Sequence, residues 1–174
     1  MAGKPIIISF AGWSNSGKSS FIERLLPALA GRGLRVSTVK KSRHQADLSP
    51  NTKDSKRFAL AGAEPSIYIS ENEMIITSHQ ASTHWAERIS LLCEGADVIL
   101  MEGFEHPGAL KVLVGGSAVR EEELKRPLGD TDVLISAHGA LRQIAEGRRI
   151  PVFAPEDAEA FMEYVLRKES EHGT

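Results

Sequence analysis

Residues Gly12-Trp13-Ser14-Asn15-Ser16-Gly17-Lys18-Ser19 fit the pattern G-x-x-x-x-G-K-[ST]. They follow the apolar run Ile6-Ile7-Ile8 and precede a stretch with Phe21, Ile22, Leu25, Leu26 and Leu29 at helical spacing. A buried strand that turns through such a loop into a helix is the setting in which this pattern holds phosphate. Two glycines let the backbone curl into a nest of N–H groups, and the helix N-terminus adds partial positive charge. The candidate nucleotide contacts are therefore Gly12, Ser14, Asn15, Ser16, Gly17, Lys18, Ser19 and Ser20. Lys18 is expected to reach the terminal phosphates, and the Ser19 hydroxyl to ligate Mg²⁺. Trp13 stands where ATPases with a second, signature lysine would carry Lys, so that branch is set aside.

The rest of the chain alternates in the same way. Residues 5–11 read as a strand buried on both faces, and 18–30 as a helix with Pro27 inside its pattern, a residue that kinks helices, ended by Gly31 and Gly33. A second strand is expected over 34–39 and a short helix over 54–61, stopped by Gly62. Residues 66–70 and 74–77 read as a hairpin, and 81–94 as a helix. Further strands are expected over 98–101, 110–114, 133–135 and 150–153, and a helix over 140–146. The last helix is expected to begin near Pro155, with Glu156 and Asp157 in its first turn. This alternation predicts an α/β fold of the P-loop NTPase kind: three layers, α/β/α, with a mostly parallel sheet and an antiparallel edge hairpin.

With 174 residues and no linker or repeat, the chain is expected to form a single nucleotide-binding domain over 1–174. A formal net charge of -2 gives no basic excess of the sort that marks proteins with a general affinity for nucleic acid or anionic membrane. Cys93, the one cysteine, can form no internal disulfide and no thiolate cluster; it reads as a buried, inert thiol. No run approaches the roughly 18 apolar residues of a membrane span, and no signal peptide is seen, so a cytoplasmic location is expected.

A P-loop site needs a carboxylate at the end of another buried strand to position Mg²⁺. Asp97-Val98-Ile99-Leu100-Met101-Glu102 supplies Glu102, and Gly103 follows it. Lys18 and Glu102 are thus the candidate catalytic residues. An acid and a glycine beside a γ-phosphate suit a backbone that moves with nucleotide state. Base identity is not legible: the nearest approach to the guanine-reading [NT]-K-x-D is Thr52-Lys53-Asp54-Ser55, which lacks the final acid. The cluster Lys40-Lys41-Ser42-Arg43-His44 follows the second strand, where ligands sit in parallel sheets, and it reads equally as a solvated basic loop. Lys40 and Asp54 join the candidate nucleotide contacts. Asp47 joins Ser19 and Glu102 as a candidate metal ligand, acting through water, unless it and Asp54 pair with the basic residues. His79 and His84, five apart, show no metal pattern.

Taken together these segments resemble the MobB (molybdopterin-guanine dinucleotide biosynthesis protein B) family of P-loop proteins. The resemblance rests on the loop Gly12–Ser19, on Thr38-Val39-Lys40 with His44 and Asp47 after it, and on Lys53-Asp54-Ser55 through Ala61-Gly62-Ala63. It extends through Val98 to Glu102-Gly103-Phe104, Lys111-Val112 and Ile150-Pro151-Val152-Phe153. Two places depart from it. Lys40-Lys41-Ser42-Arg43-His44 stands where the family has Lys-His and further histidines, and Ser49-Pro50-Asn51-Thr52 where it has Pro-Gly before the Lys. The resemblance implies GTP and Mg²⁺ as ligands, weak GTPase activity, and an accessory role beside the nucleotidyltransferase that joins GMP to molybdopterin. It implies a homodimer with the hairpin at its interface; from the charge balance, neither nucleic acid nor membrane is expected as partner. The competing reading is a small-molecule kinase using ATP or GTP, in which the charged segment 120–126 would be a phosphate-closing lid.

Overall fold

The computed structural model describes residues 4–42, 53–78 and 85–172. In chain order the elements are β1 (Ile6–Ala11), α1 (Lys18–Ala30), β2 (Val36–Lys40), α2 (Lys53–Leu60), β3 (Ser66–Ile69), β4 (Met74–Thr77) and α3 (Trp85–Leu92). There follow β5 (Val98–Glu102), β6 (Leu110–Val114), β7 (Val133–Ile135), α4 (Gly139–Gly147), β8 (Val152–Phe153) and α5 (Ala158–His172). The chain divides into two compact units: Met1–Lys41 with Ile89–Thr174, and Ser42–Arg88.

The larger unit is built on a six-stranded sheet in the order β2-β5-β1-β6-β7-β8, with every pairing parallel. Strands covered on both faces read as continuous apolar runs, which is why β1, β5 and β6 are so rich in Ile, Val and Leu. On one face Ile8, Phe10, Leu100, Val112 and Ile135 pack with Phe21 and Leu25 of α1 and Phe161 and Val165 of α5. The Phe161 ring meets Phe21 edge-on at 5.4 Å between centroids, and each such buried side chain stabilises the fold by about 1.5–3 kcal/mol. On the other face Leu113 and Leu134 pack with Leu141 and Ala145 of α4 and with Leu124 and Leu128. Ile99 and Met101 pack there with Ile89 and the buried thiol Cys93. The three expected layers are present.

Besides small shifts at the ends of other elements, three element readings change. Pro27 leaves α1 a single helix, because only one more turn follows it and its carbonyl accepts the Gly31 N–H that closes the end. The strand expected over 150–153 contracts to Val152–Phe153. The last helix starts at Ala158 rather than near Pro155. Asp157 is the residue before it: its carboxylate accepts the Ala154 N–H (3.3 Å) and its carbonyl the Phe161 N–H, leaving Pro155 and Glu156 in the preceding turn.

In the smaller unit β3 and β4 form an antiparallel hairpin with Ile67 opposite Ile76 and Ile69 opposite Met74. The expected hairpin is thus present, but as a two-stranded sheet of its own and not as an edge of the parallel sheet. Those four apolar side chains share one face of the hairpin and are exposed. Among the described residues no helix is long and apolar enough to cross a membrane.

Candidate functional site

The loop Gly12–Gly17 leaves the C-terminal end of β1, which lies between β5 and β6. The connections from β1 run outward to β2 on one side, while those after β5 run to β6, β7 and β8 on the other. Ligands in open parallel sheets bind in the crevice at such a reversal.

The local sequence shapes the loop. A side chain at Gly12 would place its Cβ 2.5 Å from Ser16 Oγ and 2.6 Å from the Val114 carbonyl, so space alone demands glycine. Gly17 has open space around it but φ +92, a left-handed value that glycine adopts without strain. Asn15 is also left-handed, at φ 61, which Asn tolerates better than most residues. Gly17 caps α1 with no side-chain hydrogen bond, and no acid lies in the first turn. The N–H groups at the helix start therefore lack a competing intramolecular anion, the condition under which a helix N-terminus binds phosphate. The Lys18 ammonium folds back across the loop and donates to the carbonyls of Gly12 (3.1 Å) and Trp13 (2.6 Å). Burial lowers its pKa below the ordinary lysine value; Glu102 opposes the shift, and the charges of Lys125 and Lys40 add to it.

The strand register builds the second half of the site. Phe10 of β1 and Lys40 of β2 both pair with Glu102 of β5, so three neighbouring strands end together. There the Ser19 hydroxyl donates to Glu102 Oε2 at 2.8 Å, and Lys40 Nζ lies 3.3 Å from each of them. Gly103 ties the strand ends: its N–H donates to the Phe10 carbonyl, and at φ +69 an added Cβ would lie 2.9 Å from the Lys41 carbonyl. Glycine at this position thus has a packing reason of its own. Among the described residues no group of three or more His, Cys, Asp or Glu gathers to cage a metal. One hydroxyl and one carboxylate are instead the ligand set for Mg²⁺ when phosphate and water supply the remaining positions, so Ser19 and Glu102 fit that ion.

A third side of the site is invisible in the motif. Gly116, at φ +60 in the turn after β6, lies so close to the loop that a Cβ there would be 2.8 Å from Ser16 Cα. Past it, the Trp13 indole N–H donates to the Glu123 carbonyl at 2.7 Å. The segment read as a candidate lid is anchored. Leu124 and Leu128 are buried in the core, and the Glu121 carboxylate accepts both Nη groups of Arg148 at 2.6 and 2.7 Å. The sequence signal for this wall was Gly115-Gly116 directly after a buried strand, but only the pairing of β6 with β1 shows which loop that turn abuts.

The structure thus brings together Gly12, Gly17, Lys18, Ser19, Lys40, Glu102 and Gly103, with Ser14, Asn15 and Ser16 in the loop and Ser20 in the first turn of α1. Asp54 lies on α2 in the other compact unit. Asp47, like His44, His79 and His84, lies outside the described residues.

Known proteins share this architecture. The family model for molybdopterin guanine dinucleotide synthesis protein B matches residues 7–137. The molybdopterin-guanine dinucleotide biosynthesis adapter protein of Escherichia coli K12 is 33% identical over 132 residues, covering 71% of this chain and 75% of its own. A probable adapter protein of the same name from Bacillus subtilis 168 is 26% identical over 165 residues, covering 92% and 91%. The crystal structure of Bacillus subtilis MobB superposes with a TM-score of 0.64 at 25% identity, over 94% of this chain and 97% of that one. The chain belongs to the MobB family.

Proposed function

We propose that this protein is a GTP-binding accessory factor in molybdopterin guanine dinucleotide biosynthesis, acting beside a partner nucleotidyltransferase as a slow, Mg²⁺-dependent GTPase. The observation that carries the nucleotide half is the Ser19–Glu102 contact of 2.8 Å at the mouth of the phosphate loop. It joins a hydroxyl and a carboxylate, far apart in the chain, into one oxygen-rich corner beside Lys18. The accessory half draws on the family and on the name adapter protein that the curated relatives carry. Mg²⁺ held there would neutralise charge on the terminal phosphates. In this reading the loop N–H groups orient the β- and γ-phosphates, Lys18 leaves its loop carbonyls to meet them, and Ser19 and Glu102 hold the ion. The protein acts as one nucleotide-binding domain in the cytoplasm, and it dimerises through the apolar hairpin face carrying Ile67, Ile69, Met74 and Ile76. Molybdopterin itself is a further ligand in this reading. The kinase reading is disfavoured by the anchoring of segment 120–126, since a lid must open.

A thermal-shift panel of GTP, GDP, ATP and ADP with Mg²⁺ tests the reading. The largest stabilisation is expected from GTP, and none from any nucleotide in Lys18→Ala, whose fold is otherwise retained. Equal shifts with ATP and GTP remove the base preference, and unchanged affinity in Lys18→Ala removes the site.

A further inference from the structure

Trp13 sits within the phosphate loop, yet its side chain is used to hold something else. The residue is 57% exposed while its indole N–H is committed to the Glu123 carbonyl. That carbonyl belongs to a short segment that is itself anchored. The Glu123 carboxylate accepts the Val119 N–H at 2.8 Å, while Glu121 bridges Arg148 and also accepts the Leu128 N–H at 3.2 Å. Leu128 is fully buried and Leu124 nearly so. Lys125 follows Leu124 directly, two residues beyond the carbonyl that Trp13 holds.

The charges around it are unequally matched. Arg120 pairs with Glu123, and Arg126 with Glu105. Lys125 is exposed and, among the described residues, makes no hydrogen bond or ion pair. Its charge is nevertheless felt at the Lys18 ammonium, where it adds to the downward shift. The Lys18 ammonium thus feels two further cations, Lys125 and Lys40, and among the described residues Glu102 is the carboxylate that opposes them there. Like charges gathered by an anchored segment are unfavourable in the absence of an anion, and a polyphosphate supplies one.

We propose that Lys125 is a second phosphate-binding cation of this site, presented in cis by segment 119–126, which the Trp13–Glu123 bond fastens to the phosphate loop. The proposal rests on the nucleotide-site reading above and adds to it a residue outside the motif. Lys18 is the residue the motif assigns to the terminal phosphates, so a second cation whose charge reaches that ammonium favours the outermost phosphate over the inner ones. It therefore discriminates triphosphate from diphosphate, the distinction a switch must make.

Calorimetric titration of the full chain with GTP, GDP, ATP and ADP, each with Mg²⁺, tests this in the parent, Lys125→Ala, Lys125→Arg, Trp13→Phe and Lys18→Ala. In Lys125→Ala the ratio of triphosphate to diphosphate affinity is expected to fall by about tenfold, the scale of one charge-assisted hydrogen bond. Lys125→Arg restores most of the ratio, and Trp13→Phe, which keeps the ring but loses the N–H, lowers it. A merely structural role for Lys125 would weaken both nucleotides alike and leave the ratio unmoved. A ratio in Lys125→Ala within twofold of the parent, with Lys18→Ala defective, overturns this inference alone. A parent that binds no nucleotide overturns the site reading and this inference with it.

Discussion

Glu102 carries the negative charge that the phosphate loop itself lacks. Its carboxylate is largely buried, accepts from Ser19 and faces the Lys40 ammonium. Glu102→Gln keeps a hydrogen-bond acceptor for Ser19 but removes the charge. Nucleotide affinity is expected to stay within a few-fold of the parent, while single-turnover hydrolysis slows by about tenfold or more, because the group proposed to anchor a divalent ion has become neutral. Equal turnover in variant and parent would take Glu102 out of that role. At this scale the phosphate loop was readable in sequence, because its glycines, lysine and serine act within eight consecutive positions. Glu102 was readable as the polar end of an apolar run, and Lys40 as a base after a strand. Their meeting was not, since it depends on which strands become neighbours.

Among elements, α1, β4, β6 and β7 have the bounds expected from the sequence, and the other described elements differ by a few residues at their ends. End residues are decided by capping contacts, as Asp157 shows at α5, and such contacts are poorly encoded by apolar spacing. The turn after β6 is the element whose role only the fold reveals. Gly116→Val combines a left-handed φ with a clash against the Ser16 backbone, which has no rotamer by which to yield. It is expected to lower stability by about 2 kcal/mol or more and nucleotide affinity by at least about tenfold, because the displaced atoms belong to the phosphate loop. Gly33→Ala is the control: φ is +74 there, but nothing lies within 4 Å of the added Cβ. It should show strain of about 1 kcal/mol and unchanged nucleotide binding. Chemical denaturation and titration of the two variants separate the outcomes.

Across the whole molecule, carboxylates that accept hydrogen bonds from backbone N–H groups and arginines fasten the framework. Asp97 accepts the Arg35 N–H at 2.7 Å, chiefly through which its pKa is held below the usual carboxylate range; Glu121 is held down mainly by Arg148, and Glu123 mainly by the Val119 N–H. A carboxyl lowered in the folded state contributes stability that is fully present above its unfolded pKa, about 4, and is lost as pH falls through the folded value. The urea midpoint is therefore expected to drop as pH falls below about 4, and to drop less steeply in Glu121→Gln. A variant profile parallel to the parent's would exclude Glu121 as a contributor. By itself the sequence determined the phosphate loop, the alternation of strands and helices, and the family, because each depends on residue types at short, ordered spacing. Tertiary structure alone decided that Lys40, Ser19 and Glu102 share one corner, that the hairpin forms its own sheet, and that Trp13 reaches Glu123 across 110 positions. Those contacts follow from strand order and register. They are set by burying apolar surface on both faces of one sheet, a condition that no local stretch of residues contains.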